Sequence, residues 1–488
     1  CVLSRCEIVM SGTWKLACLK FFRLKYGDKE FRRASQNGSR HKERAGTFPT
    51  LKGKSGLSAN LSRVLGQTHG SRDVYLYWLL ALSVFTFSLF IHSPCEMYPT
   101  EYSDLYSLFF QVFGGSDRWF AGTVEPLGIP YVHYRFEYPP IIAGIFYLTS
   151  EISLEVARWT GVPRSAAFYY ALALMFVLPA YVAYLKAVND TSKILGADRS
   201  RIMLAAAGFG IAYYVVYNFD IIAIAFAMFS LLLLVRGRER SAGLLLGLSV
   251  ASKIITGIVL FPSLFYLIRR SGRSAAGYFL CFSLATVASF GPVYLLAFRG
   301  LEEMFKWHAT WYCENCFYIM IAGNIHDDLW RLISEVLMVA VPVGLMLATR
   351  PGGDQVRLIR QSLLMIPTAI SVSYVYSPQM NVMIGPAYLL ASNSVTLGTL
   401  ALSDFLNVLI MVFFFRTSTL CDVLGSHSCP PPWGRESPVQ WIAFSRIVLL
   451  WVFIAFIALR MRLERKHYCS ESQTMSATEG ERPNRLVQ

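Results

Sequence analysis

Two carboxylates flank a long hydrophilic stretch after the first apolar run of the chain. Tyr102-Ser103-Asp104-Leu105 lies near its start, and Tyr134-Arg135-Phe136-Glu137-Tyr138-Pro139-Pro140 closes it. A carboxylate can take the proton of a hydroxyl, a guanidinium can neutralise a phosphate, and tyrosine faces can stack on sugar rings. The Pro pair suits a helix start, because the first turn has no use for the N–H that Pro lacks. The same residues also read as a solvated acidic loop with an interfacial aromatic belt. On residue types alone both readings stand.

Further ionisable and polar groups fall at or just inside the ends of later apolar runs: Asp220, Lys253, His308, Glu314 and the Ser377-Pro378-Gln379 turn. Ionisable groups beside hydrocarbon are costly and usually mark a pathway or a site. Each has a plainer reading beside it. Asp104 could cap a helix beginning near Leu105. Lys253 could snorkel to the interface. Glu137 could be structural, and His308 a surface residue. Gln379 could hydrogen-bond a hydroxyl or serve backbone groups freed by a helix break.

The elements that carry these residues follow from composition. The 488-residue chain is 54% hydrophobic and 16% charged, against about 25% charged residues in soluble domains. Apolar runs recur from Val74 to Arg460, and a span needs about 20 apolar residues to cross roughly 30 Å of hydrocarbon. A soluble enzyme, a disordered chain and a spanning β-barrel with two-residue alternation are excluded. We place spans near 74–92, 166–188, 202–217, 219–235, 241–253 with 255–268, 275–298, 331–348, 361–376 with 380–393, 397–415 and 440–459. The expected fold is all-α and polytopic, with about 10–12 passes and a long first outer loop. Segment 139–150 is too short to span and is expected at the interface.

Charge sets the orientation. With the N-terminus cytoplasmic, the inner connections hold 17 Lys/Arg against five Asp/Glu, whereas loop 93–138 holds six acidic residues and two Arg. The positive-inside rule then puts Asp104, Glu137, Asp220, Lys253, His308, Glu314 and Gln379 on the outer side. Residues 1–72 carry 15 Lys/Arg and four Asp/Glu, a balance of +11 in a total of +14. They read as a disordered cytoplasmic tail rather than a nucleic-acid-binding arm, and the Cys1 start leaves their place in the natural product open. The first span reads as a signal-anchor. A membrane domain over 73–466 and a polar tail over 467–488 complete the organisation. Cys421 and Cys429 could staple the loop containing Pro430-Pro431-Pro432. Cys313-Glu314-Asn315-Cys316 fits a local disulfide or free thiols better than zinc, since no second pair stands at ribbon spacing.

The order of these motifs resembles the GT-C superfamily of membrane glycosyltransferases, and within it glycosyltransferase family 87, the polyprenol-phosphate-mannose-dependent mannosyltransferases. The resemblance covers about residues 74–393. It rests on Asp104; Phe136-Glu137-Tyr138-Pro139-Pro140; Asn218-Phe219-Asp220 opening a span that ends in Arg236-Gly237-Arg238; Ala242-Gly243 through Ser252-Lys253-Ile254 and Pro262; Trp307-His308 followed by Glu314; and Tyr376-Ser377-Pro378-Gln379. Ala-Thr-Trp-Tyr-Cys at 309–313, Asn315, Met380 and Thr256 depart from the pattern, and bear on acceptor and sugar rather than on reaction class.

The resemblance implies a GT-C-like fold and transfer of a sugar, mannose, from a polyprenyl-phosphate donor to a lipid or glycan acceptor on the outer side. Asp104 would be the catalytic base. Arg135, Glu137, Tyr138, Asp220, Lys253, His308, Glu314 and Gln379 would bind substrate, with Lys253 the main cation for phosphate. No metal, separate cofactor or nucleic acid is expected. The partners would be membrane lipids, the donor and the acceptor. The expected location is the plasma membrane, or the endoplasmic reticulum in a eukaryote. No Gly-rich phosphate loop is evident, which suits a donor embedded in the bilayer. A secondary transporter or flippase is the alternative, and a polymerase or ligase of envelope polysaccharide would share the donor chemistry. Broken helices fit a transporter, but the halves show no repeat and the polar groups collect at one face.

Overall fold

The computed structural model describes residues 77–92, 102–113, 128–161, 166–349, 351–425 and 429–480, with only the backbone for 465–480. The basic segment 1–72 and much of loop 93–138 lie outside the described residues. Among the described residues the chain is all-α, with isolated β-bridges as its only extended pairing.

α1 (Tyr77–Ile91) packs with its Phe85 ring stacked on Tyr181. α2 (Asp104–Phe113) is a short amphipathic helix on the site side. α3 (Pro140–Thr160) starts on the Pro pair and ends at Gly161, whose φ of 68° suits the left-handed C-cap. Sequence reasoning ended this segment at 150. It runs 21 residues and by length and composition could cross a membrane, so the expected length of about 12 residues is corrected. Glu151, Glu155 and Arg158 interrupt the apolar run without interrupting the helix, and Arg158 pairs with Glu155 one turn away.

α4 (Ala166–Leu195), α5 (Arg199–Ala207) and α6 (Phe209–Tyr214) follow, with Asp198 capping α5 through the Arg201 N–H. α7 (Asp220–Val235) is buried along most of its length, as befits a helix apolar all round. α8 (Glu239–Val250) crosses α10 (Gly272–Thr310) at Gly243 and Gly247. A Cβ at these positions would fall 2.1 Å from the Tyr278 carbonyl oxygen and 2.6 Å from that of Phe282. This is the close approach that small residues four apart permit. Between these helices a 3₁₀ turn (Ile254–Val259) leads into α9 (Leu260–Arg270).

α10 is interrupted at Ala297, where φ is −145° and ψ 46°. The break separates an apolar arm from an outer arm carrying Trp307 and His308. The connection between the apolar runs at 275–298 and 331–348 therefore begins as helix. It continues through α11 (Tyr318–Ala322) to α12 (Asp328–Ala348), which is capped by Asp327. α13 (Gln355–Ser371) runs through the core. Beyond it the chain breaks into a 3₁₀ turn (Pro378–Met380), α14 (Asn381–Ile384) and a second 3₁₀ segment (Gly385–Leu390). Such irregular backbone is tolerated at membrane depth only when other groups satisfy it. α15 (Ser394–Phe414) supplies them: Asn407 Nδ2 donates to the Pro378 carbonyl at 2.7 Å, and Asp404 accepts from Asn381 at 2.9 Å and from the Tyr388 hydroxyl at 3.0 Å. α16 (Thr417–Val423) and α17 (Pro438–Gly480) complete the chain. Both proposed cysteine pairs, Cys313–Cys316 and Cys421–Cys429, are disulfides.

Six described helices are long and apolar enough to cross a membrane, and α1 and α7 are shorter apolar helices. Several of the 10–12 expected passes are thus short or broken pieces. The chain is a polytopic membrane protein.

Candidate active site

Three backbone joints assemble the site. Leu105 N–H donates to the Tyr217 carbonyl at 2.8 Å, which sets Asp104 beside the start of α7. Ile141 N–H donates to the Ala251 carbonyl at 3.0 Å, which sets Glu137 and Tyr138 beside Lys253. Glu314 pairs with the strand-like segment around Val375, through Glu314 N–H to Tyr374 at 3.2 Å and Tyr376 N–H to Glu314 at 3.0 Å. Elements far apart in sequence thereby deliver Asp104, Glu137, Asp220, Lys253, Glu314 and Gln379 to one cleft.

Asp104 does not cap α2. The helix begins at Asp104 itself, and the Ser103 hydroxyl receives the Tyr106 N–H at 3.4 Å. The Asp104 carboxylate is left for the cleft, where it accepts from Gln379 Nε2 at 3.1 Å and from the Tyr102 hydroxyl. Two residues earlier, the Ser377 hydroxyl hydrogen-bonds Glu314. The Ser-Pro-Gln element therefore clamps two carboxylates that come from different loops.

The outer arm of α10 does the same with aromatic donors. Trp307 hydrogen-bonds the Glu137 carboxylate, and Trp311 Nε1 donates to Glu314 Oε2 at 2.9 Å. The two indoles lie 4.9 Å apart, and Trp311 stacks on Tyr312. His308 sits at the rim with its Nε2 2.8 Å from the Glu137 backbone carbonyl, so that nitrogen carries the proton. Its contact holds the Glu137 loop. Tyr131 reaches the Tyr138 carbonyl with its hydroxyl, and the backbone of Tyr131 rests on Gly300 of α10. A Cβ at Gly300 would fall 2.0 Å from the Tyr131 carbonyl oxygen, so only glycine allows this docking.

Lys253 pairs with Asp220 at 2.9 Å and faces the Tyr138 ring at 5.9 Å. Asp220 is buried, its N–H is held by Asn218 Oδ1 at 2.8 Å, and its second oxygen has no hydrogen-bond partner. Arg135 is not brought into the cleft. Its side chain is 56% exposed and pairs with Glu303 at 3.5 Å.

The carboxyls outnumber the cations, and this sets their acidity. Burial raises the Asp104 carboxyl well above its usual range, neighbouring Glu137 and Glu314 push it further, and Lys253 opposes them. Burial pushes Glu137 up to about 7, with Lys253 opposing. Burial raises Glu314 as well, against its hydrogen bonds from Ser377 and Trp311. Like charges sharing a poorly solvated cleft cannot all ionise, and a base poised near neutrality is suited to proton abstraction. Among the described residues, no group of three or more His, Cys, Asp or Glu side chains is placed to hold a metal ion.

Sequence reasoning missed the indole donors, Tyr131 with Gly300, and the buried Arg446 described below. The Trp307-His308 pair was a usable signal for the first. Nothing local marks the others.

An all-α polytopic membrane protein with a carboxylate cleft at the ends of its helices is the class that fold and site define. The family model of glycosyltransferase family 87 matches residues 136–373. This match supports a GT-C-like membrane protein of that family, and the family indicates a glycosyltransferase. The match contains Glu137, Tyr138, Asp220, Lys253, His308 and Glu314, and ends short of Gln379. No curated protein matches the chain. The match favours the enzyme over the transporter.

Proposed function

We propose that this glycosyltransferase moves a sugar, mannose, from a polyprenyl-phosphate donor to a hydroxyl of a lipid or glycan acceptor on the outer side of the membrane. The observation that carries this reading is Asp104: a half-buried carboxyl of raised pKa, held by Gln379, among carboxyls with Lys253 close by. The acceptor oxygen attacks the anomeric carbon as its proton passes to Asp104. The bond from that carbon to the phosphate oxygen breaks, and the phosphate leaves with the electron pair. A single displacement of this kind inverts the anomeric centre. Lys253 supports the leaving phosphate by exchanging part of its pairing with Asp220 for the incoming anion. Trp311 and Tyr312 offer a stacked aromatic wall for a sugar ring. The outer placement rests on the charge pattern of the loops, and mannose rests on the family resemblance. A lipid-borne donor enters from the bilayer and needs no separate cofactor. The plasma membrane is the location we favour, or the endoplasmic reticulum in a eukaryote.

The test is transfer from radiolabelled polyprenyl-phosphate-mannose in membranes, comparing wild type with Asp104→Asn at matched expression. Loss of a positioned base should lower the rate about 10²–10⁴-fold. Equal transfer by both proteins moves the base elsewhere, with Glu137 next. No transfer by wild type rejects this donor.

A further inference from the structure

Arg446 lies within the apolar part of α17 and is fully buried. Among the described residues, no carboxylate forms an ion pair with it. Its guanidinium donates instead to neutral groups: Asn407 Oδ1 at 2.5 Å, the Asn315 carbonyl at 2.8 Å and the Tyr376 carbonyl at 3.3 Å. Its central carbon lies 3.5 Å from the Tyr376 ring centroid, while Nε has no partner. Burying a cation costs several kcal/mol, and neutral acceptors alone could be served by a neutral amide. The retained charge therefore calls for an explanation.

The acceptors supply one. Asn315 follows Glu314, and Tyr376 precedes Ser377. Asn407 passes the link on to the Pro378 carbonyl at 2.7 Å, directly before Gln379. One guanidinium thus ties the Glu314 loop to the element whose Ser377 and Gln379 hold Glu314 and Asp104. Asn315 has a φ of 50°, an unusual value for a non-glycine residue, and Gln440 of the same helix holds its side-chain oxygen at 3.2 Å. Through space, Arg446 acts on Glu314.

We infer that Arg446 is a positioning residue for glycosyl transfer, locking the Glu314 loop and the Ser-Pro-Gln element in register so that Glu314 and Asp104 stand at fixed places against the reacting sugar. The inference rests on reading this cleft as the transfer site. The guanidinium fork spans acceptors that an ammonium cannot span together. Small misplacements of a catalytic group can cost about 10²-fold in rate.

The experiment uses the full chain in lipid nanodiscs with Arg446→Met, Arg446→Lys, Asn407→Ala, Asp104→Asn and Glu137→Gln. It measures kcat, donor KM, the pH profile of kcat/KM and the apparent Tm. Arg446→Met should lower kcat about 10²-fold while donor KM changes much less. Its acid limb should move to higher pH, because Glu314 loses the cation that favours its charged form while still facing Asp104, Glu137, Lys253, Tyr312 and Tyr217. Arg446→Lys should restore the limb but not kcat. Asn407→Ala, which keeps the cation and cuts the link to Pro378, should lower kcat and leave the limb in place. If the Arg446 variants lose Tm but keep wild-type kcat per folded molecule and an unmoved profile, the inference is overturned. If Arg446→Met does not fold, Arg446→Lys and Asn407→Ala decide, and wild-type kcat in both overturns it. Wild-type kcat in both Asp104→Asn and Glu137→Gln rejects the cleft reading instead, whatever the other variants do.

Discussion

The two ends of α7 use charge in opposite ways. At its C-terminal end, Arg236 pairs with Asp190 at 2.9 Å, Lys186 pairs with the same carboxylate at 3.2 Å, and Gln355 caps the Val235 carbonyl at 2.9 Å. Arg360 and Arg460 likewise share Glu464 at 2.6 and 2.8 Å. Cations exceed carboxylates there, and most of the side chains reach water. At the N-terminal end, Asp104, Glu137, Asp220 and Glu314 face Lys253, and the pairing is incomplete. By the positive-inside rule the basic end would orient the chain, and it holds helices by pairs that solvent screens. The acidic end withholds both solvent and cations, and that shortage raises the carboxyls of Asp104, Glu137 and Glu314. Charge becomes chemistry where burial and unequal counting coincide.

The sharpest way to break this comparison is to alter the Lys253–Asp220 pair, whose side chains are 18% and 2% exposed. Lys253→Met should abolish transfer and also destabilise, because it leaves Asp220 buried without its cation, a loss of about 3–5 kcal/mol. Asp220→Asn removes the orphaned charge, so the double variant Lys253→Met/Asp220→Asn should regain most of the apparent Tm. It should not regain activity if Lys253 supports the leaving phosphate. A double variant that recovers transfer along with stability makes the pair structural, and the acidic end would then resemble the basic one.

Much of this end was legible in the sequence because charged residues at span ends are rare enough to stand out. Asp104, Glu137, Asp220, Lys253, Glu314 and Gln379 do meet. Arg135 was misplaced, since its neighbours Tyr134 and Phe136 are buried while Arg135 points outward to Glu303. Its type suggested a phosphate ligand, but its direction is set by packing that no motif records. Arg446 was not legible at all. A single Arg within an apolar run carries no local meaning, and its partners lie 39, 70 and 131 residues away. The apolar stretch from 241 to 268 reads as a pair of short pieces broken at Lys253, and it folds as 12 helical residues, a 3₁₀ turn of six and a helix of 11. The break is legible at Lys253, whereas the groups that satisfy it are not.

A smaller effect sharpens the comparison through pH. Glu137 has an ordinary value of 4.5 and is pushed up to about 7, chiefly by burial. Between those values the folded protein holds a proton that the unfolded chain has released, so its contribution to stability falls as pH rises through the window. It is fully present below 4.5 and lost above about 7. Glu137→Gln, which cannot ionise, should match wild type at pH 4 and exceed it in apparent Tm by about 2 °C at pH 9. Equal Tm values at both pH values would mean that the carboxylate is not held back in the cleft.

The smallest effect belongs to the other end. Arg236 is 51% exposed, and its partner Asp190 also receives Lys186 and Lys193. Exposed pairs of this kind contribute about 0–1 kcal/mol. Arg236→Gln should leave kcat, the pH profile and apparent Tm within error, because Asp190 keeps two cations and Gln355 still caps Val235. In 1 M salt, where screening acts over about 3 Å, even the residual difference in Tm should vanish. A large loss of activity from Arg236→Gln would show that the basic end communicates with the cleft through α7. The division between an orienting end and a reacting end would then have to be abandoned, since one rigid buried helix would be carrying information between them.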